Sequence, residues 1–288
     1  MGTPLIWHEN IESFLQASLE DLKRDEALNN LILGLCLRIQ ENPDYYPDVK
    51  MVTVRAGAQL SLAALITVPE RPILYGGGER QNQSAAAFAE ALFARGIGVP
   101  GVIGSRGLAS FFSSHWRGLV DCDVELDMDL RVYKLTRVNA KVIKAGELRP
   151  ARAGDLPFLT EGIARFEQEA DVLDAVDWEQ CVRRARRLLV EGTAYIWEVA
   201  GKPVSMAAKS RPTPNGITIT LVYTPRALRG RGYATSCVAA LSERLLLSGY
   251  KFCTLFADLS NPTANSIYRR VGFRQIGEFA SFRFSYDK

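Results

Sequence analysis

Apolar side chains recur near a helical period from Asn10 to about Ile39, with Phe14, Leu15, Leu19, Leu22, Leu28, Leu31 and Ile32 on one stripe. Residues 51–54 and 60–68 then read as paired strands across the turn Ala56-Gly57-Ala58. After Gly76-Gly77-Gly78 the pattern predicts a helix over 84–94 ending at Gly96, a strand over 98–103 and a helix over 108–116. The acidic, alternating stretch 121–130 leads to a strand over 131–138.

The second half is more sharply punctuated. A strand over 147–151 precedes Ala153-Gly154-Asp155, where Asp155 is a helix-cap candidate, and a helix follows to about Ala170. A further helix spans 176–191. Strands over 194–200 and 204–208 flank Gly201-Lys202, and Asn215-Gly216 turns the chain into a strand over 217–224. The remaining pattern predicts a helix over 233–247, a strand over 252–258, a helix over 262–271 and one or two final strands over 273–285. Each half thus shows a helix ending in glycine (Gly96, Gly249), a strand and another helix, at an offset of about 150 residues. The expected organisation is two tandem α/β (α+β) domains, 1–140 and 146–288. Each carries a mixed, mostly antiparallel sheet flanked by helices.

Composition narrows the chemistry. Of 288 residues, 35 are Lys or Arg and 32 are Asp or Glu, a net +3 that gives no case for nucleic-acid binding. Residues 1–140 hold 13 basic and 17 acidic side chains, a net −4, and 141–288 hold 22 and 15, a net +7. An anionic small molecule belongs in the second half. The five cysteines (Cys36, Cys122, Cys181, Cys237, Cys253) form no CxxC pair and read as reduced thiols rather than a disulfide or zinc framework. His8 and His115 are the only histidines, so the second half has no His-based metal site or Ser-His-Asp triad. The start MGTPLIWHEN does not resemble a secretory signal, and the longest apolar stretch, about Leu60–Pro69, is too short to span a bilayer. A cytoplasmic location is expected, with no membrane partner.

Two segments carry candidate chemistry. In Leu221-Val-Tyr-Thr-Pro-Arg-Ala-Leu-Arg-Gly-Arg-Gly-Tyr-Ala-Thr235 a strand runs through a glycine-rich loop directly into a helix. Glycines permit close backbone approach, and a helix start presents free N–H groups with partial positive charge. With Arg229 and Arg231 this makes a phosphate cradle, although it is neither a Walker A loop nor a dinucleotide fingerprint. In Asn261-Pro-Thr-Ala-Asn265-Ser-Ile-Tyr268-Arg-Arg-Val-Gly272-Phe273, Asn265 and Tyr268 share a helix face. Tyr268 can give a proton to a leaving group; the plainer alternative is a half-buried packing tyrosine.

The ordered pair of segments resembles the GNAT superfamily of acetyl-CoA-dependent N-acetyltransferases. Arg229, Gly232 and Ala234 match the family's Arg/Gln-x-x-Gly-x-Gly/Ala loop, and Asn265, Tyr268, Gly272 and Phe273 match its later Asn-x-x-Tyr and Gly-Phe elements. The stretches 195–207, 211–216 and 255–263 are similar to bacterial predicted acetyltransferases in which a degenerate GNAT-like half precedes a complete one. The resemblance implies that backbone groups of Val222, Tyr223 and Thr224 bond the pantetheine arm. It implies that main-chain N–H groups of Arg229, Gly230, Arg231, Gly232, Tyr233, Ala234 and Thr235 hold the pyrophosphate, and that Asn261 or Asn265 touches the pantetheine. The acetyl group would lie where the strands at 217–224 and 252–258 splay. A primary amine would attack the thioester directly, with Tyr268 protonating or hydrogen-bonding the departing thiolate. No metal is implied.

The general base is not readable; Glu198, Asp258 and Tyr223 are candidates beside ordered water. In the first half, Gly76-Gly77-Gly78-Glu79-Arg80 departs from the loop pattern and 108–116 has no Asn-x-x-Tyr, so catalysis is expected only in the second half. The competing readings are a non-catalytic acyl-CoA sensor or regulatory module and a plain interaction protein. Monomer and homodimer both stay open.

Overall fold

The computed structural model describes residues 4–169 and 176–286. Packing divides the chain into two compact units. Unit 1 is built from 1–132, 257–260 and 276–288; unit 2 is built from 133–256 and 261–275.

In unit 1, β1 (Leu5–His8), β2 (Val49–Ala56), β3 (Gln59–Thr67) and β4 (Ile73–Gly76) are antiparallel neighbours. The chain then crosses through α3 (Gln81–Ala94) to β5 (Gly101–Ser105), which pairs with β4 in parallel. Helices α1 (Ile11–Arg24) and α2 (Asn30–Glu41) cover one face of this sheet, burying Phe14, Leu22 and Cys36 against Met51, Ala63 and Ile73. Helices α3 and α4 (Arg106–Leu119) cover the other, where Phe88, Phe112 and Trp116 meet Val52, Leu62 and Leu74. Adjacent residues such as Ala63 and Leu62 therefore enter different cores. The unbroken apolar run through β3 follows from burial on both faces.

Unit 2 repeats the plan. β7 (Glu147–Pro150), β8 (Ala194–Val199), β9 (Lys202–Ser210) and β10 (Gly216–Tyr223) are antiparallel neighbours, and α7 (Tyr233–Leu247) crosses to β11 (Phe252–Asp258), parallel to β10. Helices α5 (Leu156–Glu169) and α6 (Trp178–Val190) pack Leu159, Ile163 and Ala185 on Ile196, Met206 and Tyr223. The expected end of α5 near Ala170 lies outside the described residues. Helix α8 (Pro262–Val271) follows β11 as α4 follows β5. The recurrence of helix pair, antiparallel strands, parallel crossover and helix is the tandem α/β organisation expected from the sequence.

Two long strands close the repeats. β6 (Asp123–Leu135) begins in unit 1 and its last three residues lie in unit 2. β12 (Arg274–Ser285) starts in unit 2, but from Ile276 onward it belongs to unit 1, where Phe279 to Arg283 pair antiparallel with Ser105 to Gly101 of β5.

Several elements differ from the sequence pattern. The apolar stripe over 10–39 is broken between α1 and α2, because Asp25 accepts the Leu28 N–H and Asn29 donates to the Leu22 carbonyl. These side chains compete with the helical ladder. β1 and β4 are only four residues long and carry no readable period. β6 begins at Asp123 despite its acidic alternation. Asp123 and Glu125 are exposed, and the two inner charges are paired within unit 1: Asp127 with Arg71 and Arg283, and Asp129 with Arg106.

Candidate functional site

The parallel ladder between β10 and β11 holds only at Gly216–Phe252, Ile217–Cys253 and Thr218–Thr254, although β10 runs on to Tyr223. On its other side β10 shifts register against β9 between Thr220 and Tyr223. The shift coincides with Leu221 in a left-handed conformation, φ +52°. An inserted residue of this kind bends a strand and ends its regular pairing. The bulge and the short ladder make the splay expected between these strands. Val222, Tyr223 and Thr224 stand just past it. The Tyr223 carbonyl accepts from Ser205 Oγ at 3.0 Å, and Ser205 Oγ lies 2.9 Å from Thr224 Oγ1, which fixes this edge from beneath.

From Thr224 the chain makes a 3-10 turn, Arg226–Leu228, and enters the glycine loop. Gly230 (φ +77°) and Gly232 (φ +86°) are both left-handed, a conformation that costs little only without a side chain. Gly232 caps α7 with no side-chain hydrogen bond to the helix start. Six successive N–H groups, on Gly230, Arg231, Gly232, Tyr233, Ala234 and Thr235, find no acceptor among the described residues. A helix start leaves about four such donors; here the loop adds two more. This is the donor set that an anionic group of several oxygens requires.

Space around the loop fits the same reading. A Cβ at Gly230 would meet nothing within 4 Å, and one at Gly232 would meet only the flexible end of Lys144, with Cε at 3.0 Å and Nζ at 3.2 Å. The glycine loop of unit 1 contrasts. There a Cβ at Gly76 would strike Gln81 Oε1 at 2.5 Å, one at Gly77 the Leu60 carbonyl at 2.6 Å, and one at Gly78 Gln59 Oε1 at 2.6 Å. Those glycines admit the protein's own side chains and backbone.

The arginines divide their work. Arg231 is exposed. Arg229 turns back: Nε donates to the Thr224 carbonyl at 3.0 Å and Nη2 to Glu169 Oε2 at 2.6 Å, with the guanidinium 5.5 Å from the Tyr223 ring centre. Arg226 donates to the other oxygen of Glu169 at 2.9 Å. Burial opposes charge on Glu169, but the hydrogen bonds from both arginines prevail and hold its carboxyl below the usual range. The Arg229 side chain therefore braces the loop against the end of α5. Nothing in the sequence pattern singled out Glu169 or Lys144.

On α8, Asn261 caps the helix by accepting the Ala264 N–H at 2.9 Å and is itself exposed. Asn265 is buried; its Nδ2 donates to the Asn261 carbonyl at 2.7 Å, and its Oδ1 accepts from Tyr133 Oη at 2.9 Å. The shared face expected for Asn265 and Tyr268 is present as a buried one. Tyr268 packs between Tyr133 and Phe273, with ring centres at 6.1 and 6.0 Å. Its hydroxyl makes no hydrogen bond among the described residues. Burial, reinforced by Tyr133, pushes its pKa up to about 12.

Other candidates are occupied. Half-buried Glu198 accepts from the buried Arg149, which also binds Asp155 through two hydrogen bonds. Asp258 accepts the Ser260 N–H at 2.7 Å and belongs to unit 1. Burial first, and then Glu169, raise the Tyr223 hydroxyl. Cys237 and Cys253 are buried, with thiols pushed up to about 12 by burial, so neither offers a thiolate. No group of three or more His, Cys, Asp or Glu able to hold a metal occurs among the described residues, and no helix there is long and apolar enough to cross a membrane.

The crossover fold, bulged strand and uncapped glycine loop form one continuous feature of unit 2, and the family match falls on it. Residues 161–273 match the acetyltransferase (GNAT) family. A comparison with curated proteins finds no match. Among solved structures, the chain is similar to a tandem GNAT protein from the clavulanic acid biosynthesis pathway, at 14% identity and TM-score 0.58, covering 98% of each chain. It is also similar to a GCN5-related N-acetyltransferase from Sphaerobacter thermophilus, at 16% identity and TM-score 0.60, covering 97% of this chain and 95% of the other. A GNAT-family acetyltransferase from Colwellia psychrerythraea aligns at 14% identity and TM-score 0.55 over 99% of this chain and all of the other. The whole chain shares the fold of these structures, the tandem one included.

Proposed function

We propose that this protein is an N-acetyltransferase that binds one acetyl-CoA in the second half of the chain and acetylates a primary amine by direct attack. The observation that carries the reading is the run of six unpaired N–H groups from Gly230 to Thr235, next to a strand pair that has parted. These donors, with Arg231, would hold the pyrophosphate. Backbone groups of Val222, Tyr223 and Thr224 would line the pantetheine arm, with Asn261 at its side. Asn265, fully engaged inside, would act by fixing Asn261 and Tyr133. Acetyl-CoA supplies an activated thioester when bound.

Tyr268 would face the departing sulfur. A phenol near pKa 12 stays protonated at neutral pH, and a thiol near 8.5 is the stronger acid. Tyr268 thus serves best by donating a strong hydrogen bond to the thiolate rather than by handing over its proton completely. With Glu198 tied to Arg149, the amine would lose its proton to water or arrive neutral. The same engagement of Glu198 favours a second reading, a non-catalytic acyl-CoA sensor. Acetyl transfer to any amine excludes that one.

Unit 1, with its glycine loop packed by Gln59, Leu60 and Gln81, would bind no acetyl-CoA. Isothermal titration of the intact chain tests both halves of the proposal. One site per chain is the expected result. Two sites would overturn the reading of unit 1, and no binding would overturn the reading of the whole protein.

A further inference from the structure

The stretch from Arg137 to Lys144 joins the two repeats and lies outside the matched family segment, which begins at residue 161. Within unit 2 it is strapped to two helix ends. The Asn139 N–H donates to the Val271 carbonyl at 2.8 Å, and its side-chain amide to the Arg270 carbonyl at 3.1 Å, at the end of α8. The Lys144 N–H donates to Ser236 Oγ at 3.0 Å, in the first turn of α7. This tether directs the Lys144 side chain across Gly232, where its Nζ lies 3.2 Å from the position a Cβ there would take. Lys144 is exposed and forms no ion pair with the described residues. Of the neighbouring cations, Arg226 and Arg229 share the single carboxylate of Glu169, and Arg231 is exposed on the loop itself.

A free ammonium fixed by its own backbone over six unpaired N–H groups is placed for an anion, since cations gain nothing from the positive end of a helix unless one is present. We propose that Lys144 is a phosphate-binding residue of the acetyl-CoA site, supplied by the connecting strap rather than by the recognised domain. The inference rests on the acetyl-CoA reading above. It adds that the strap completes the cradle from the open side of Gly232, and that much of the charge recognition there comes from a residue distant from the loop in sequence.

The test uses the full-length chain and the variants K144A, K144E and K144R, titrated with acetyl-CoA and with S-acetylpantetheine, which lacks the pyrophosphate and nucleotide. K144A is expected to weaken acetyl-CoA about three- to tenfold, the range for a charge-assisted bond near solvent. K144E should weaken it further and K144R should return to within about threefold of wild type. The K144A affinity should also depend less on salt. S-acetylpantetheine binding and the ligand-free unfolding temperature should not change. Equal acetyl-CoA affinity for wild type and K144A would overturn the role of Lys144 while leaving the site standing. Equal losses for both ligands would assign Lys144 a structural role and also overturn it. Failure of the wild type to bind acetyl-CoA would sink the underlying reading instead, so the two failures are distinguishable.

Discussion

Tyr268 concentrates the chemistry of the site in one side chain. Its ring is held by Tyr133 and Phe273, and Tyr133 is held in turn by Asn265, so removing the hydroxyl alone leaves the packing in place. Tyr268→Phe is expected to lower kcat about a hundredfold, the lower range for loss of one hydrogen-bond donor to a developing anion. KM for acetyl-CoA and the unfolding temperature should stay close to wild type. Steady-state kinetics with any productive amine checks this, and an unchanged kcat would remove Tyr268 from the mechanism. The pH profile is a second readout. A group near pKa 12 stays protonated through the physiological range, so Tyr268 should impose no titration on the rate below about pH 10.

The loop before α7 shows how an element creates a site through backbone shape. Gly230 and Gly232 share a left-handed conformation, so alanine at either should cost about 1–2 kcal/mol of stability. Their surroundings differ. A Cβ at 230 enters open space, whereas one at 232 displaces the Lys144 side chain. Gly232→Ala should therefore weaken acetyl-CoA more than Gly230→Ala does, at similar unfolding temperatures. Thermal unfolding and titration of the two variants, side by side, decide it. Equal losses of affinity would mean that backbone strain alone accounts for the effect.

At the scale of the molecule, the end of the chain stabilises the unit begun by its start. From Ile276 the last strand pairs with β5, and Phe284, only 5% exposed, stacks against Trp116 of α4 at 6.5 Å between ring centres. Phe284→Ala should destabilise unit 1 by about 3–5 kcal/mol, the usual cost of emptying an aromatic core site. Amide exchange should quicken in β5 and α4 and stay slow in β10 and α7. Faster exchange confined to unit 2 would contradict this division of the chain.

The sequence by itself determined most elements and the central loop, since period, turn residues and glycine placement are local and survive without knowledge of the fold. The strand–loop–helix at 216–247 and the helix at 262–271 were legible for that reason, and so was the tandem α/β plan. The tertiary structure decided what depends on contacts distant along the chain. It placed β12 from Ile276 onward in unit 1, paired Asp127 and Asp129 of β6 with arginines, bound both ends of the Asn265 amide and turned Arg229 onto Glu169. It also brought Lys144 to Gly232, 88 positions further along the chain. Such pairings carry no periodic signature. They are selected by close packing and by the cost of leaving a buried charge or hydrogen-bonding group alone, and those forces act only once the chain has folded.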